Sequence, residues 1–175
     1  MKRTVLLMAA LLSVLVSPMV RAESVPLTDK HIESIRVSCA DAKQSILQVQ
    51  RTEAVTRVNR GREYEDMLKL LAAFNSRVVL NKLDAPLLTS TASKLQAKFA
   101  EFQRHYLDYA NRLDDTLEIN CKEAPVSFYD NLTAAREMRA QVAADIQDMI
   151  RLQDQYQQGL NEMKAILAER EEGIQ

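Results

Sequence analysis

Tryptophan is absent from this chain of 175 residues, glycine occurs three times, and proline four. So few breakers, with no alternating apolar pattern between Gly-rich turns, exclude a β-sandwich or β-barrel. Two cysteines with no CxxC or CxxCH spacing exclude a thiol oxidoreductase motif and a haem attachment site. The two histidines make no HExxH, and no paired Glu-x-x-His motifs of a di-iron bundle occur. GxSxG and phosphate-cradling glycine loops are missing too. No enzyme, metal or cofactor is therefore expected. Charge of one sign is lacking as well, with 23 Lys and Arg against 24 Asp and Glu. That balance argues against nucleic acid as a partner, and no polybasic stripe favours a membrane surface.

Long apolar runs are confined to the first residues. Lys2 and Arg3 precede an apolar stretch from Val5 to Val16, broken only by Ser13. As a helix it would reach roughly 18 Å, too short for a hydrocarbon core of about 30 Å. Pro18 follows, and Val20-Arg21-Ala22 places small residues where a signal peptidase cuts. Residues 1–22 are read as a signal peptide, against the alternative of an uncleaved anchor, and residues 23–175 as one domain. Losing Lys2, Arg3 and Arg21 takes the formal charge from −1 to −4. Export to the cell envelope, to a periplasm where one exists, or to the outside is expected.

Pro26, Pro86 and Pro125 each stand where a helical pattern is about to begin. Proline is tolerated in a first helical turn and costs about 3 kcal/mol inside a helix, so these positions mark boundaries. In the second segment Leu88, Ala92, Leu95, Phe99, Phe102, Tyr106, Tyr109 and Leu113 alternate steps of four and three, a heptad seam. A helix is predicted from Ala85 to Asn120 with Asp84 as its N-cap. The third segment carries Phe128, Leu132, Ala135, Val142, Ile146, Met149, Tyr156, Leu160, Met163 and Leu167 in one register, with Arg139 and Gln153 as polar interruptions. A helix from Ser127 to Glu171 is predicted, opened by a Ser127–Asp130 capping box. In the first segment Ile32, Ile35, Cys39, Ala42, Ile46 and Val49 keep the spacing. Glu53 and Thr56 then occupy the seam before it resumes at Tyr64, Met67, Leu71, Phe74 and Val78. One helix from Asp29 to Asn81 is predicted, kinked or broken near Gly61 if anywhere.

Short connections between three such segments predict an elongated, all-α, antiparallel three-helix coiled coil in up-down-up order. Cys39 and Cys121 fall near the same end of that arrangement. In an exported chain an even pair reads as a disulfide, which would stabilise the fold by up to about 4–5 kcal/mol. Glu53 and Arg139 fall at similar heights on core positions of the first and third helices. They are expected either to pair across the bundle, fixing register, or to reach water separately at its edge.

Other polar groups have bland readings. His105 shares a helix face with Glu101 and Asp108, and His31 stands near the first helix start. That grouping could contribute to a weak metal site, but metal sites need three or four converging ligands, so a solvated, charge-balanced face is expected. The acidic clusters Asp114, Asp115, Glu118 and Glu63, Glu65, Asp66 read the same way. Arg57, Arg60 and Arg62 are expected to pair with the acids that follow them, or else to dock an acidic partner. Asn131-Leu132-Thr133 matches a glycosylation sequon but falls inside a predicted helix.

Val58-Asn59-Arg60-Gly61-Arg62, Phe74-Asn75-Ser76-Arg77, Cys121, Ser127-Phe128-Tyr129-Asp130 and Ala135-Arg136 resemble stretches of small secreted helical proteins, without assigned function, of candidate-phylum bacteria. The resemblance covers most of the chain beyond the signal peptide. It implies an exported bacterial helical protein and carries no activity. Size and helicity are loosely similar to those of periplasmic coiled-coil chaperones.

Two functions are expected from this pattern. The first is a non-catalytic interaction or structural protein whose partner is another protein or a second copy. The alternative is a chaperone-like or stress-related holdase, which needs exposed apolar groups near the turn, where Val78, Val79, Leu80, Leu83, Leu87 and Leu88 cluster.

Overall fold

The computed structural model describes residues 27–172, so the candidate signal peptide at 1–22 lies outside the described residues. Four helices follow one another: α1 (Asp29–Val37), α2 (Cys39–Leu80), α3 (Pro86–Glu118) and α4 (Pro125–Glu172). No strand occurs among the described residues. The all-α expectation holds, but the expected count of three helices is corrected to four. The first segment is interrupted at Ser38, where φ is −87° and ψ is 8°, and not at Gly61. Serine is a poor helix-interior residue because its hydroxyl competes for nearby backbone. Ser38 also directly precedes Cys39, which is cross-linked to Cys121 with 5.6 Å between Cα atoms. The break is one residue long, since the Ser38 amide still donates to the Ser34 carbonyl. At Gly61 the helix continues, because a glycine lacks side-chain packing yet keeps every backbone hydrogen bond a helix requires.

Cross-helix contacts set the directions. Lys43 Nζ donates to the Leu117 carbonyl, Tyr64 packs on Phe99, and Asn75 Nδ2 reaches the Leu88 carbonyl, so α2 and α3 run antiparallel. Arg112 bonds Asn131 and His105 bonds Asp145, so α3 and α4 also run antiparallel. With 48 residues, α4 extends about 70 Å.

The tightest packing lies between α3 and α4. Leu88, Leu95, Phe99, Phe102, Tyr109 and Leu113 are buried on α3, and Ala135, Val142, Met149, Tyr156 and Met163 on α4. These are seam positions in both sequences, so the heptad spacing places them on facing stripes. Each large side chain taken out of water contributes roughly 1.5–3 kcal/mol before entropy is charged. An aromatic ladder links Tyr64, Phe99, Phe102, Tyr106 and Tyr109 at centroid separations of 5.9–6.3 Å. The contribution of α2 is smaller: only Cys39, Ile46 and Val78 are buried there, and none on α1.

The helix ends have local causes. Thr28 Oγ1 accepts from the His31 amide while His31 Nδ1 accepts from the Thr28 amide, so His31 closes a capping box. After α2, the Leu83 amide donates to the Val78 carbonyl and the Lys82 amide to the Val79 carbonyl, with Lys82 left-handed at φ 51°. That pairing is a Schellman motif, and Leu83 packs beside buried Val78 as the motif requires. Two expected caps are corrected. The N-cap of α3 is Ala85, with no side-chain bond, so Asp84 caps nothing. Pro125 already lies in α4, which puts Ser127 inside the first turn and removes the Ser127–Asp130 capping box. In both cases proline, preset for the first helical position, fixes where the helix begins.

Candidate functional site

Between Ala54 and Arg60 every residue of α2 is exposed. The helix packs well at Ile46 below and again from Tyr64 upward, but its middle stands away from the α3–α4 pair. The seam explains this. At two successive core positions α2 offers Glu53 and Thr56 where leucine or isoleucine would fill the space, and α4 answers with Arg139, Ala140 and Ala143. Short or polar side chains on both walls leave a groove of about 690 Å³. Phe102, Val142 and Ile146 form its apolar floor, and Arg57, Arg60, Arg136 and Arg139 surround it. A smaller recess of about 280 Å³ lies beyond it, past Arg136 and Arg139, toward Ala42 and Val49.

Glu53 and Arg139 meet across this groove. Arg139 Nε donates to Glu53 Oε1 at 2.8 Å, and a terminal guanidinium nitrogen approaches the same oxygen at 2.8 Å. The Arg139 side chain is 62% exposed and that of Glu53 21%, so the pair lies at the mouth of the groove. Glu53 Oε2 is buried without a hydrogen-bond partner among the described residues. Burial, with Glu53 close by, pushes the Tyr109 phenol well above its ordinary pKa, so this tyrosine is neutral. Burial also raises Tyr106, partly offset by Arg57, whose guanidinium lies 5.0 Å over its ring.

A second polar cluster spans α3 and α4 on another face. Asp145 is fully buried and accepts from Gln141 Nε2 at 3.2 Å. His105 Nδ1 lies 2.6 Å from Asp145 Oδ2, while Arg104 Nη2 lies 2.9 Å from His105 Nε2. Arginine can only donate, so Nε2 accepts and Nδ1–H donates to Asp145, which assigns one tautomer. Lys98 adds a looser contact to Asp145 at 3.9 Å and pairs with Glu101 at 2.6 Å and Asp148 at 3.4 Å. Its hydrogen bond to Glu101 raises the Lys98 pKa, and Arg151 beside Asp148 holds that carboxyl low. The grouping expected around His105 is corrected: its partner is Asp145 on α4, not Glu101 or Asp108 on its own helix. Sequence spacing along one helix cannot show a partner on another. Among the described residues, no three His, Cys, Asp or Glu side chains converge as metal ligands.

The remaining candidates are placed simply. Cys39 and Cys121 form a disulfide, and both are buried. Asp66 pairs with Lys69 at 3.0 Å on an exposed face, and Asp114 accepts from Gln50 at 2.8 Å. Arg57, Arg60 and Arg62 make no salt bridge among the described residues, so the expected pairing with the following acids does not form. Asn131 accepts from Arg112 and donates to the Ser127 carbonyl within α4. Arg136 lines the groove as well, one helical turn before the polar interruption at Arg139, a placement that its sequence context does not signal. The usable signal was the coincidence of polar seam positions on two helices at one height. No helix among the described residues is long and apolar enough to cross a membrane.

The chain matches no known protein family, no curated protein and no solved structure.

Proposed function

We propose that this is an exported, non-catalytic binding protein of the cell envelope or extracellular space. Its long helices form an elongated coiled coil, and its working surface is the groove between the middle of α2 and the α3–α4 pair. The observation that carries this reading is the groove itself, a concavity of about 690 Å³ over Phe102, Val142 and Ile146. A seam built only for stability would fill those positions with aliphatic side chains, as it does at Leu95 and Met149, both fully buried. Export is supported by the Lys2–Ala22 sequence pattern and by a cross-link of the kind oxidising compartments sustain. The resemblance to small secreted helical proteins points the same way.

A photo-crosslinking side chain at Thr56, inside the groove, should yield adducts in the native envelope or culture fluid. The same group at Glu162, on the outer side of α4, should not. Identical adducts from both positions would end the proposal.

The holdase alternative has one observation in its favour: beside the turn, Val79 is 63% and Leu80 79% exposed. Val78 and Leu88 are buried in the same cluster, so the tip offers little continuous apolar surface. Suppression of client aggregation that disappears in Val79→Ser/Leu80→Ser would favour it over the groove.

A further inference from the structure

Resting on the groove as working surface, we infer that its occupant is a small amphipathic anion: an apolar chain or ring body carrying one carboxylate or phosphate head. Four arginines and one glutamate line the cavity, in a chain whose formal charge is −1 overall. Positive charge is therefore concentrated here against the trend of the molecule. Glu53 is already neutralised by Arg139. Arg57, Arg60 and Arg136 make no salt bridge among the described residues. Guanidinium groups left without carboxylates at the rim of an apolar cavity suit a carboxylate or phosphate, which they bind in a two-pronged fashion.

The body of the ligand follows from the floor. Phe102 and Val142 are buried seam residues whose groove-facing carbon would otherwise meet water. A flexible apolar segment laid along them replaces the side chains that Glu53, Thr56, Ala140 and Ala143 do not supply. The volume falls within the range of about 300–1,000 Å³ typical of small-molecule sites. An acidic partner helix fits less well. The rim arginines sit at both ends of a short cavity, not along a continuous stripe, and α2 covers the space a helix would need. The arginine at one end, Arg60 or Arg136, holds the head, while the apolar body lies along the floor between the two ends.

The test uses the disulfide-intact protein and the fluorescent fatty acid cis-parinaric acid. Saturable binding is expected, with loss of at least tenfold in affinity for its methyl ester, which keeps the body and lacks the charge. Arg60→Ala/Arg136→Ala, at exposed positions, should weaken the acid by tenfold or more and leave the ester unchanged. Ala143→Phe, which fills the groove from an exposed site, should abolish both. A lysophosphatidate arm separates sources of the head: displacement of the probe at lower concentration than oleate assigns a phosphate, and the reverse a carboxylate. Equal binding of acid and ester, wild-type affinity in both variants, or displacement only by an acidic amphipathic peptide would overturn the inference. If the probe fails while Thr56 still captures a protein, the amphiphile falls and the groove stands. If both fail, the groove reading falls with it.

Discussion

The two faces that α3 presents to its neighbours are built from the same heptad spacing, yet they behave differently. Toward α4, seam residues meet seam residues for the full overlap, and Leu88, Leu95 and Met149 are wholly excluded from water. Toward α2, the match holds at the ends and lapses in the middle, where Glu53 and Thr56 on α2, with Arg139 of α4 facing them, interrupt it. Spacing aligns stripes, but side-chain volume decides whether they close. The α3–α4 pair is a core, and α2 is a cover held at its two ends. Stability should therefore be distributed unevenly, with the middle of α2 opening first.

The largest break in this comparison should come from the disulfide. It ties the start of α2 to the α3–α4 turn, 82 positions along the chain. Reduction, or Cys39→Ala/Cys121→Ala, should cost up to about 4 kcal/mol by freeing the unfolded chain. The loss should be local before it is global. Hydrogen exchange should show α1 and the first half of α2 losing protection while α3 and α4 amides keep theirs. Equal loss across all four helices would mean that the cover and the core are one cooperative unit.

A smaller effect contrasts two polar pairs that look alike on paper. Asp145 is fully buried between α3 and α4 and serves His105 and Gln141. Replacing it with alanine strands those donors, and Asp145→Ala should lose about 2–3 kcal/mol in urea denaturation. Arg139 pairs with Glu53 but is itself mostly exposed at the groove mouth. Arg139→Ala should cost less than about 1 kcal/mol, as exposed pairs do. Comparable losses for the two variants would place both pairs in the core and contradict the standing-off of α2.

Much of this was legible in the sequence, for reasons that differ by feature. The α3 and α4 seams could be read because burial on one helical face repeats every 3.5 residues. The Cys39–Cys121 link was expected from an even cysteine pair in a chain read as exported, and helix lengths that bring both to one end supported it. Glu53 and Arg139 stood out as polar residues on apolar stripes, and height along the helices put them together. What spacing could not convey was depth. The glycine that marked a kink candidate left α2 helical, and the seam lapses at Glu53 and Thr56 before it produced a groove, because α2 simply stands off. The break at Ser38 falls beside the cross-linked Cys39, where no apolar spacing marks it, and the His105 partner depended on how α4 is rotated. Capping by Asp84 and Ser127 failed where an adjacent proline had already set the helix start.

The finest test of core against cover uses two glycines, one on each side of the contrast. At Gly61 a methyl group would meet nothing within 4 Å, so Gly61→Ala gains helix propensity and loses no packing. It should stabilise the protein by about 1 kcal/mol. At Gly159 the added carbon would lie 2.9 Å from Leu88 Cδ2 and 3.3 Å from Leu88 Cγ. Leu88 is fully buried and has little room to turn. The same gain in propensity is there opposed by overpacking of about 1–3 kcal/mol, so Gly159→Ala should be neutral to destabilising by about 2 kcal/mol. Thermal melts should therefore diverge, rising by about 3 °C for Gly61→Ala and staying level or falling for Gly159→Ala. If Gly159→Ala instead stabilises as much as Gly61→Ala, the start of α3 is not clamped against α4, and the tight half of the comparison loses its upper end.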